Sequence, residues 1–138
     1  MSFREKTAWV TLIAMLIVAA MYFFHNPRVF DPDASAFVYL AMSVSLAAFV
    51  IIEILAYLVL YLRYPKDART PKDERERLID LKATRLAAYV YVVGSFLAIM
   101  TPHHGANAFS VASFVFLAFV TAEIVNYTAR IVYYRRGI

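Results

Sequence analysis

Long apolar runs alternate with short polar segments along the chain, and this pattern predicts where its helices lie. Four runs are close to or longer than the about 20 apolar residues that a helix needs to cross a bilayer: residues 7–24, 34–62, 78–100 and 108–134. The longest polar segment between them, 63–77, is rich in both signs of charge. We therefore predict an all-α integral membrane four-helix bundle, with residues 1–138 forming a single transmembrane domain.

The composition supports a membrane protein and excludes several chemistries. Of the 138 residues, 62% are hydrophobic and 17% are charged, whereas soluble domains average about 45–50% apolar and about 25% charged residues. The absence of Cys excludes disulfide frameworks, thiol redox chemistry and Cys-ligated clusters. Only three Gly residues occur, and no Ser-His-Asp order fits a strand–turn–helix context. We therefore expect no enzymatic activity and no cofactor.

The basic residues lie asymmetrically relative to the predicted spans. All of the 14 Lys and Arg residues except Arg28 lie in the N-terminal tail, in the central segment with the start of the third span, or near the C-terminus. Because cytoplasmic loops carry the excess of Lys and Arg, we predict an up-down-up-down bundle with both termini and loop 63–77 in the cytoplasm. The net charge of +4 then suits anionic lipid headgroups and gives no reason to expect nucleic-acid binding.

Polar residues also mark the predicted helix boundaries. Asp31 before Pro32 is typical of an N-cap followed by proline in the first turn, and it predicts the start of the second long helix. Thr70 before Pro71 repeats this pattern and predicts that the third long helix begins near Pro71. Asn107 is placed to cap the fourth.

A shift of 70 residues aligns the second span with the fourth. Glu53 and Tyr57 then coincide with Glu123 and Tyr127, within a shared Phe-Val-x-x-Glu-Ile pattern. The first and third spans show almost no identity at this offset. Either two helical hairpins repeat about an axis along the membrane normal, or two apolar helices have converged on the same pattern.

Two carboxylates inside apolar helices are the most unusual feature of the sequence. A charge at the centre of a membrane helix costs about 2.5–3.5 kcal/mol, so such groups are expected to be partnered, hydrated or protonated. Polar residues spaced one or two turns away share their helix faces, and an Arg of the third span could reach either carboxylate. The predicted intramembrane polar network or ion site comprises Glu53, Tyr57, Arg85, Glu123, Asn126, Tyr127 and Arg130. It either fixes the helix register or binds a proton or cation.

Histidines between the spans are weak candidates for a metal site. His25, His103 and His104 could combine with Asp31 and Asp33 to bind Zn²⁺ or Cu²⁺. However, the aspartates are explained by helix capping, and adjacent histidines rarely direct both rings to one ion. We therefore expect no metal site.

The central segment has two interpretations. Its charges are concentrated in Asp73, Glu74, Arg75, Glu76 and Arg77. Charge runs of this kind are usually solvated and here would set the topology. The alternative is a docking surface for a cytoplasmic protein partner.

Small residues four apart permit helices to approach closely. The pairs Gly94/Ala98 and Ala118/Ala122 have this small-xxx-small spacing. They could serve the core of the monomer or the contact face of a homo-oligomer, and the spacing alone leaves both open.

The segment Lys72-Asp-Glu-Arg-Glu-Arg-Leu-Ile79, followed by Lys82 and Arg85, resembles the signature of a family of uncharacterised predicted membrane proteins. Those prokaryotic proteins have four helices and an Asp-Glu-Arg run before the third. The resemblance implies a protein of the bacterial inner membrane without an assigned activity, and it supplies no catalytic residue.

Two functions follow as hypotheses. The first is a non-enzymatic membrane protein, a scaffold or sensor that presents its charged central segment to a cytoplasmic partner. The alternative is an oligomeric, proton- or cation-coupled small transporter that uses Glu53 and Glu123.

Overall fold

A computed structural model of the chain describes residues 2–26, 28, 30–31, 36–100, 102, 105 and 107–137. This part of the chain contains α-helices and no strand, with the helices α1 (Phe3–His25), α2 (Phe37–Arg63), α3 (Pro65–Arg69), α4 (Glu74–Met100) and α5 (Ala108–Arg136). All except α3 are long and apolar enough to cross a membrane. The predicted all-helical fold with four long apolar helices is therefore confirmed.

Short polar side chains cap α1 and α5. Ser2 accepts a hydrogen bond from the backbone N–H of Glu5 at 3.2 Å. Asn107 accepts one from the backbone N–H of Ser110 at 2.9 Å. Each bond satisfies one of the N–H groups that the first turn of a helix leaves without a partner. The predicted cap at Asn107 is confirmed.

The start of α4 differs from the prediction. The carboxylate of Asp73 accepts a hydrogen bond from the backbone N–H of Glu76 at 2.6 Å, and this cap places the first helical residue after Asp73. Thr70 lies at the C-terminal end of α3, and its hydroxyl donates a hydrogen bond to the carbonyl of Lys66 within that helix. The prediction of a helix beginning near Pro71 was therefore wrong, because Thr70 belongs to the end of the preceding helix.

The start of α2 also differs. This helix begins at Phe37 with Ala36 as its N-cap, and no side chain supplies a capping hydrogen bond. Asp31 is held elsewhere, since its backbone carbonyl accepts a hydrogen bond from the Ser110 hydroxyl of α5. The prediction that Asp31 caps α2 was therefore wrong, and Pro32 lies outside the described residues.

The long helices lie side by side in the order α2, α1, α5, α4. Helix α1 packs against both α2 and α5, α2 makes a smaller contact with α5, and α4 packs against α5. Within the described part of the chain the backbone of α4 does not approach that of α1 or α2 closely. The face that α1 buries carries Ala8, Leu12, Met15, Ala19 and Tyr22. This alternating spacing of four and three residues is typical of a helix with neighbours along one stripe. Helices α1 and α5 therefore form the centre of the bundle.

Small residues bring α4 and α5 together. A side-chain carbon placed on Gly94 would lie 2.7 Å from Cβ of Ala118, closer than two carbon atoms that are not bonded to each other can approach. The small-xxx-small residues at Gly94 and Ala118 thus face each other within one chain, where missing side-chain volume lets two backbones approach. Of the two uses predicted for this spacing, the structure shows the one within the monomer.

The outer helices expose their apolar side chains. Val38 is the one buried residue among those described in α2, and large apolar residues such as Ile54, Leu58 and Val59 are about half exposed or more. On α4, Val92 and Phe96 are similarly exposed. An apolar surface of this extent is unusual for a soluble monomer, whereas hydrocarbon chains can cover it while each helix satisfies its own backbone.

One end of the bundle gathers its charges. We call the charged end the region where α1 and α4 begin, α2 and α5 end, and α3 lies. Arg4 of α1 pairs with Glu76 of α4 at 2.7 Å, and Arg135 of α5 lies 3.5 Å from Glu5 of α1. The Lys6 ammonium of α1 lies 3.6 Å from the centre of the Tyr64 ring. These contacts bring the ends of all four long helices to one side of the molecule.

Candidate functional site: a polar cavity at the charged end

A polar cavity of about 220 Å³ lies between the helices at the charged end. Every long helix contributes to its lining, and so do α3 and the segment after it. Phe3, Ala8 and Ala68 supply apolar surface. The polar lining consists of Arg4, Thr7, Thr11, Glu53, Tyr57, Lys72, Asp80, Tyr127, Arg130 and Tyr134. The cavity therefore combines ionisable, hydroxyl and apolar groups in a space large enough for a small solute.

Glu53 forms the inner part of this lining. It lies ten residues before the end of α2 at Arg63, which is about 15 Å along the helix axis at 1.5 Å per residue. The Thr11 hydroxyl of α1 donates a hydrogen bond to Oε2 of Glu53 at 2.9 Å. The second carboxylate oxygen, Oε1, is buried and has no hydrogen-bond partner among the described residues. Glu53 is thus a sheltered carboxylate with capacity for one more proton or ligand.

Asp80 joins two basic residues at the outer part of the cavity. Its Oδ2 pairs with the Lys72 ammonium, and its Oδ1 lies 3.3 Å from Nη1 of Arg130. The Arg130 guanidinium also lies 5.3 Å from the Tyr127 ring centre, a cation–π distance. We call Lys72, Asp80 and Arg130 the basic triad. In this triad the single carboxylate of Asp80 forms ion pairs with two cationic side chains.

Glu123 and Asn126 continue the polar contacts from the triad along α5. Nε of Arg130 donates to Oδ1 of Asn126 at 3.1 Å, and Nδ2 of Asn126 donates to Oε2 of Glu123 at 3.2 Å. These residues follow the three- and four-residue spacing at which side chains of a helix meet. Glu123 does not line the polar cavity. The two carboxylates aligned by the 70-residue shift therefore lie in different surroundings.

The packing of the two hairpins is also unequal. Under the 70-residue shift α1 corresponds to α4, and α2 corresponds to α5. Helix α1 packs against α5, but their counterparts α4 and α2 do not pack against each other within the described residues. The internal repeat stays a prediction from sequence, and it does not extend to these contacts.

Arg85 lies apart from both carboxylates. Its Nε donates to the Tyr89 hydroxyl at 3.2 Å on the exposed side of α4. Its side chain is long enough to extend towards a polar interface while its stem covers apolar surface. The contacts predicted between Arg85 and Glu53 or Glu123 are not among those of the described residues.

The central segment is largely held by the rest of the protein. Glu76 pairs with Arg4, and Arg4 also donates from Nη2 to the carbonyl of Thr70 at 2.9 Å. Arg75 donates to the carbonyl of Tyr134 at 3.4 Å. Within the predicted docking set, Asp73 caps α4. Asp73, Glu74, Arg75 and Arg77 are exposed, and Glu76 is half-buried.

Aromatic residues fill the opposite end of the bundle. Tyr22 is almost fully buried, and its ring lies edge-to-face with Phe23 and Phe116 at centroid distances of 4.9 and 5.0 Å. Phe23 stacks on Phe30 at 5.6 Å. Edge-to-face and offset contacts of this kind stabilise aromatic clusters beyond their buried area. This aromatic cluster closes the space between α1, α2 and α5 away from the charged end.

The weak metal candidates are only partly described. Nδ1 of His25 is 3.1 Å from the carbonyl of Met21, in its own helix. His103, His104 and Asp33 lie outside the described residues. Within the described part of the chain, no group of three or more His, Asp or Glu side chains could hold a metal ion.

Several cavity residues were missed in the sequence analysis. Arg4, Thr7 and Thr11 form a stripe along one face of α1, and that spacing was the available signal. Lys72 and Asp80 lie on opposite sides of the α4 N-terminus, so only the folded chain shows that they meet.

No family model, curated protein or solved structure matches this chain. The resemblance of residues 72–85 to small prokaryotic membrane proteins stays a prediction. Any function must therefore be argued from the cavity itself.

Proposed function

We propose that the chain is a four-span protein of a bacterial inner membrane whose charged end and both termini lie in the cytoplasm. The support is the concentration of Lys and Arg at one end of the helices, which follows the cytoplasmic bias of basic residues. The resemblance of residues 72–85 to small prokaryotic membrane proteins agrees with this location. In this orientation the polar cavity faces the cytoplasm.

We further propose that the protein is a non-enzymatic, proton-coupled small transporter, and that Glu53 carries the proton. The observation behind this proposal concerns Glu53, which lines the cavity. Its Oε1 atom is buried and has no hydrogen-bond partner among the described residues. Ionisable groups within membrane helices commonly belong to ion or proton pathways. The aromatic cluster at the other end supports a form that exchanges solute at the charged end.

The scaffold hypothesis has less structural support. Of the five charged residues in the predicted docking set, Glu76 and Arg75 contact other parts of the bundle and Asp73 caps a helix. Asp73, Glu74, Arg75 and Arg77 are exposed, although two of them also make these contacts. The exposed members of the set lie within five consecutive residues, a smaller surface than a specific protein interface requires.

Proton flux into proteoliposomes tests the transport proposal. Vesicles contain a pH-sensitive dye, and the medium contains Na⁺, K⁺, Cl⁻ and pyruvate, a carboxylate that crosses bilayers slowly. A pH gradient is then imposed. We expect the wild type to acidify the vesicles faster than protein-free liposomes, and Glu53→Gln to return the rate to that background.

Glu123→Gln is the matched control, because Glu123 is also a carboxylate within an apolar helix but does not line the cavity. We expect it to retain most of the flux. Equal flux from Glu53→Gln and the wild type would contradict the proposal, and so would a wild type that is folded yet inactive. In the second case the exposed residues of the central segment become the better candidates for function.

A further inference from the structure

The basic triad carries one more positive charge than it neutralises internally. Lys72 and Arg130 share the single carboxylate of Asp80. The side chains of Arg130 and Asp80 are only 24% and 22% exposed, so water screens this excess incompletely. Arg130 contacts Asn126 through Nε and Asp80 through Nη1, and one ion pair uses only part of the donor capacity of Lys72. Lys72 and Arg130 both line the cavity, so the triad retains charge and donor capacity there.

The state of Glu53 decides the balance of charge in the cavity. The charged groups that line the cavity with it are Arg4 of α1, Lys72 of the central segment, Asp80 of α4 and Arg130 of α5. Glu123 of α5 lies outside the lining but is linked to Arg130 through Asn126. Arg4 is already neutralised by Glu76. The hydroxyls of Tyr57, Tyr127 and Tyr134 add neutral donors. Ionised Glu53 thus adds a negative charge to the lining, and its protonation makes the cavity more positive by one charge.

We infer that the polar cavity binds a small monocarboxylate anion together with one proton on Glu53. This inference rests on the proposed proton-coupled function and names its substrate class. An anion is attracted to the cavity more strongly when Glu53 is neutral than when it is ionised, so anion and proton favour each other's binding by the same factor. A cation would have to lie beside the positive charges of Lys72 and Arg130. It would be attracted to Glu53 only when the Glu53 carboxylate is ionised.

The lining also favours a carboxylate that bears a short carbon chain. A planar guanidinium matches the two oxygens of a carboxylate, and such charge-assisted bonds are stronger than neutral ones. Phe3, Ala8 and Ala68 provide apolar surface that would contact a hydrocarbon tail. An inorganic anion could use the donors of the triad but would gain nothing from this surface.

Calorimetric titration of the purified full chain in detergent tests the inference. The probe is pyruvate, and pyruvamide, phosphate and propylammonium replace it in parallel experiments. Repeating each titration in buffers of different ionisation enthalpy counts the protons taken up. At a pH where Glu53 is ionised in the free protein, we expect pyruvate to bind the wild type with uptake of about one proton. In that pH range its affinity should fall by up to about tenfold for each unit by which the pH rises.

Substitutions separate the proton from the anion site. Glu53→Gln imitates the neutral acid, so it should bind pyruvate without proton uptake and with little dependence on pH. In Lys72→Gln the single positive charge of Arg130 is balanced by the carboxylate of Asp80, so the triad has no excess positive charge. We expect the affinity of this variant for pyruvate to fall by about tenfold or more. Lys72 is 43% exposed, which makes this change safer for folding than one at Arg130. Glu74→Gln, at an exposed carboxylate that does not line the cavity, should match the wild type.

Each other outcome overturns the inference. Tighter binding of propylammonium, or equal binding of phosphate or pyruvamide, would exclude a monocarboxylate as the substrate class. Pyruvate binding without proton uptake would exclude the coupling to Glu53. If proteoliposome flux depends on Glu53 but is unchanged when chloride replaces pyruvate, the transport proposal stands and the carboxylate assignment fails.

Discussion

The oxygens of Glu53 are treated unequally by their surroundings. Oε2 accepts a hydrogen bond from the Thr11 hydroxyl at 2.9 Å, whereas Oε1 is buried without a partner among the described residues. A buried polar atom without a partner costs free energy, and proteins retain such atoms where function requires them. Thr11 therefore holds the Glu53 carboxylate in place and leaves one oxygen for a proton.

Removing the Thr11 hydroxyl should destabilise the protein selectively. Thr11→Val keeps the side-chain shape but leaves both oxygens of Glu53 without a partner, so we expect a loss of about 1–3 kcal/mol at neutral pH. The measurement is equilibrium unfolding in detergent. Thr7→Val is the matched control, because among the described residues the Thr7 hydroxyl bonds to the carbonyl of Phe3 in its own helix, at 3.0 Å, and to no other group. Equal losses in both variants would show that the bond from Thr11 to Glu53 contributes nothing specific.

The residue types of the site were easier to predict than their contacts. Glu53 and Arg130 were predicted because charged residues stand out in apolar helices, and both line the polar cavity. Arg85 was predicted on the same ground but lies on the exposed side of α4. Its direction depends on how α4 is rotated against α5, where Gly94 faces Ala118. The sequence pattern of a single helix does not predict this rotation.

At the level of helices, the contact between α4 and α5 depends on missing volume. Most of the residues that α4 buries are Ala, namely Ala83, Ala87 and Ala98. Helices inside a membrane gain little from the hydrophobic effect between one another, so close van der Waals packing has to hold them together. The fit at Gly94 is therefore central to the position of α4.

Gly94→Ala should loosen α4. The new Cβ would lie 2.7 Å from Cβ of Ala118 and 3.4 Å from its Cα, so the helices must separate. Overpacking of this kind costs about 1–3 kcal/mol, and it should show as a lower unfolding temperature in detergent. Val93→Ala is the control on the same helix, since Val93 is 59% exposed and should change stability little. A Gly94→Ala protein as stable as the wild type would contradict this close approach.

The helix starts show how far local signals reach. Asn107 could be predicted because its capping bond to the N–H of Ser110 is local. Asp31 carried an equally good local signal, yet Ser110 of α5 bonds its carbonyl and α2 begins at Phe37. A contact made between distant parts of the chain overrides a local preference when it satisfies a polar group at the bundle end.

For the molecule as a whole, the charged and aromatic ends give the bundle its direction. Ion pairs join α1 to α4 and α5 at one end, and aromatic side chains pack together at the other. The exposed surfaces of α2 and α4 between these ends are apolar. This division matches a membrane with one leaflet facing the charged end and hydrocarbon around the middle.

Single-cysteine labelling tests the proposed direction, and the chain suits it because it contains no Cys. Asp67→Cys places a thiol in α3 at the charged end, and Arg28→Cys places one between α1 and α2. In intact bacterial cells whose inner membrane is accessible, we expect a membrane-impermeant maleimide to label Arg28→Cys at once and Asp67→Cys only after the membrane is opened. The wild type should remain unlabelled throughout. The opposite order would place the cavity on the outer side, so that an anion and proton would enter from outside the cell.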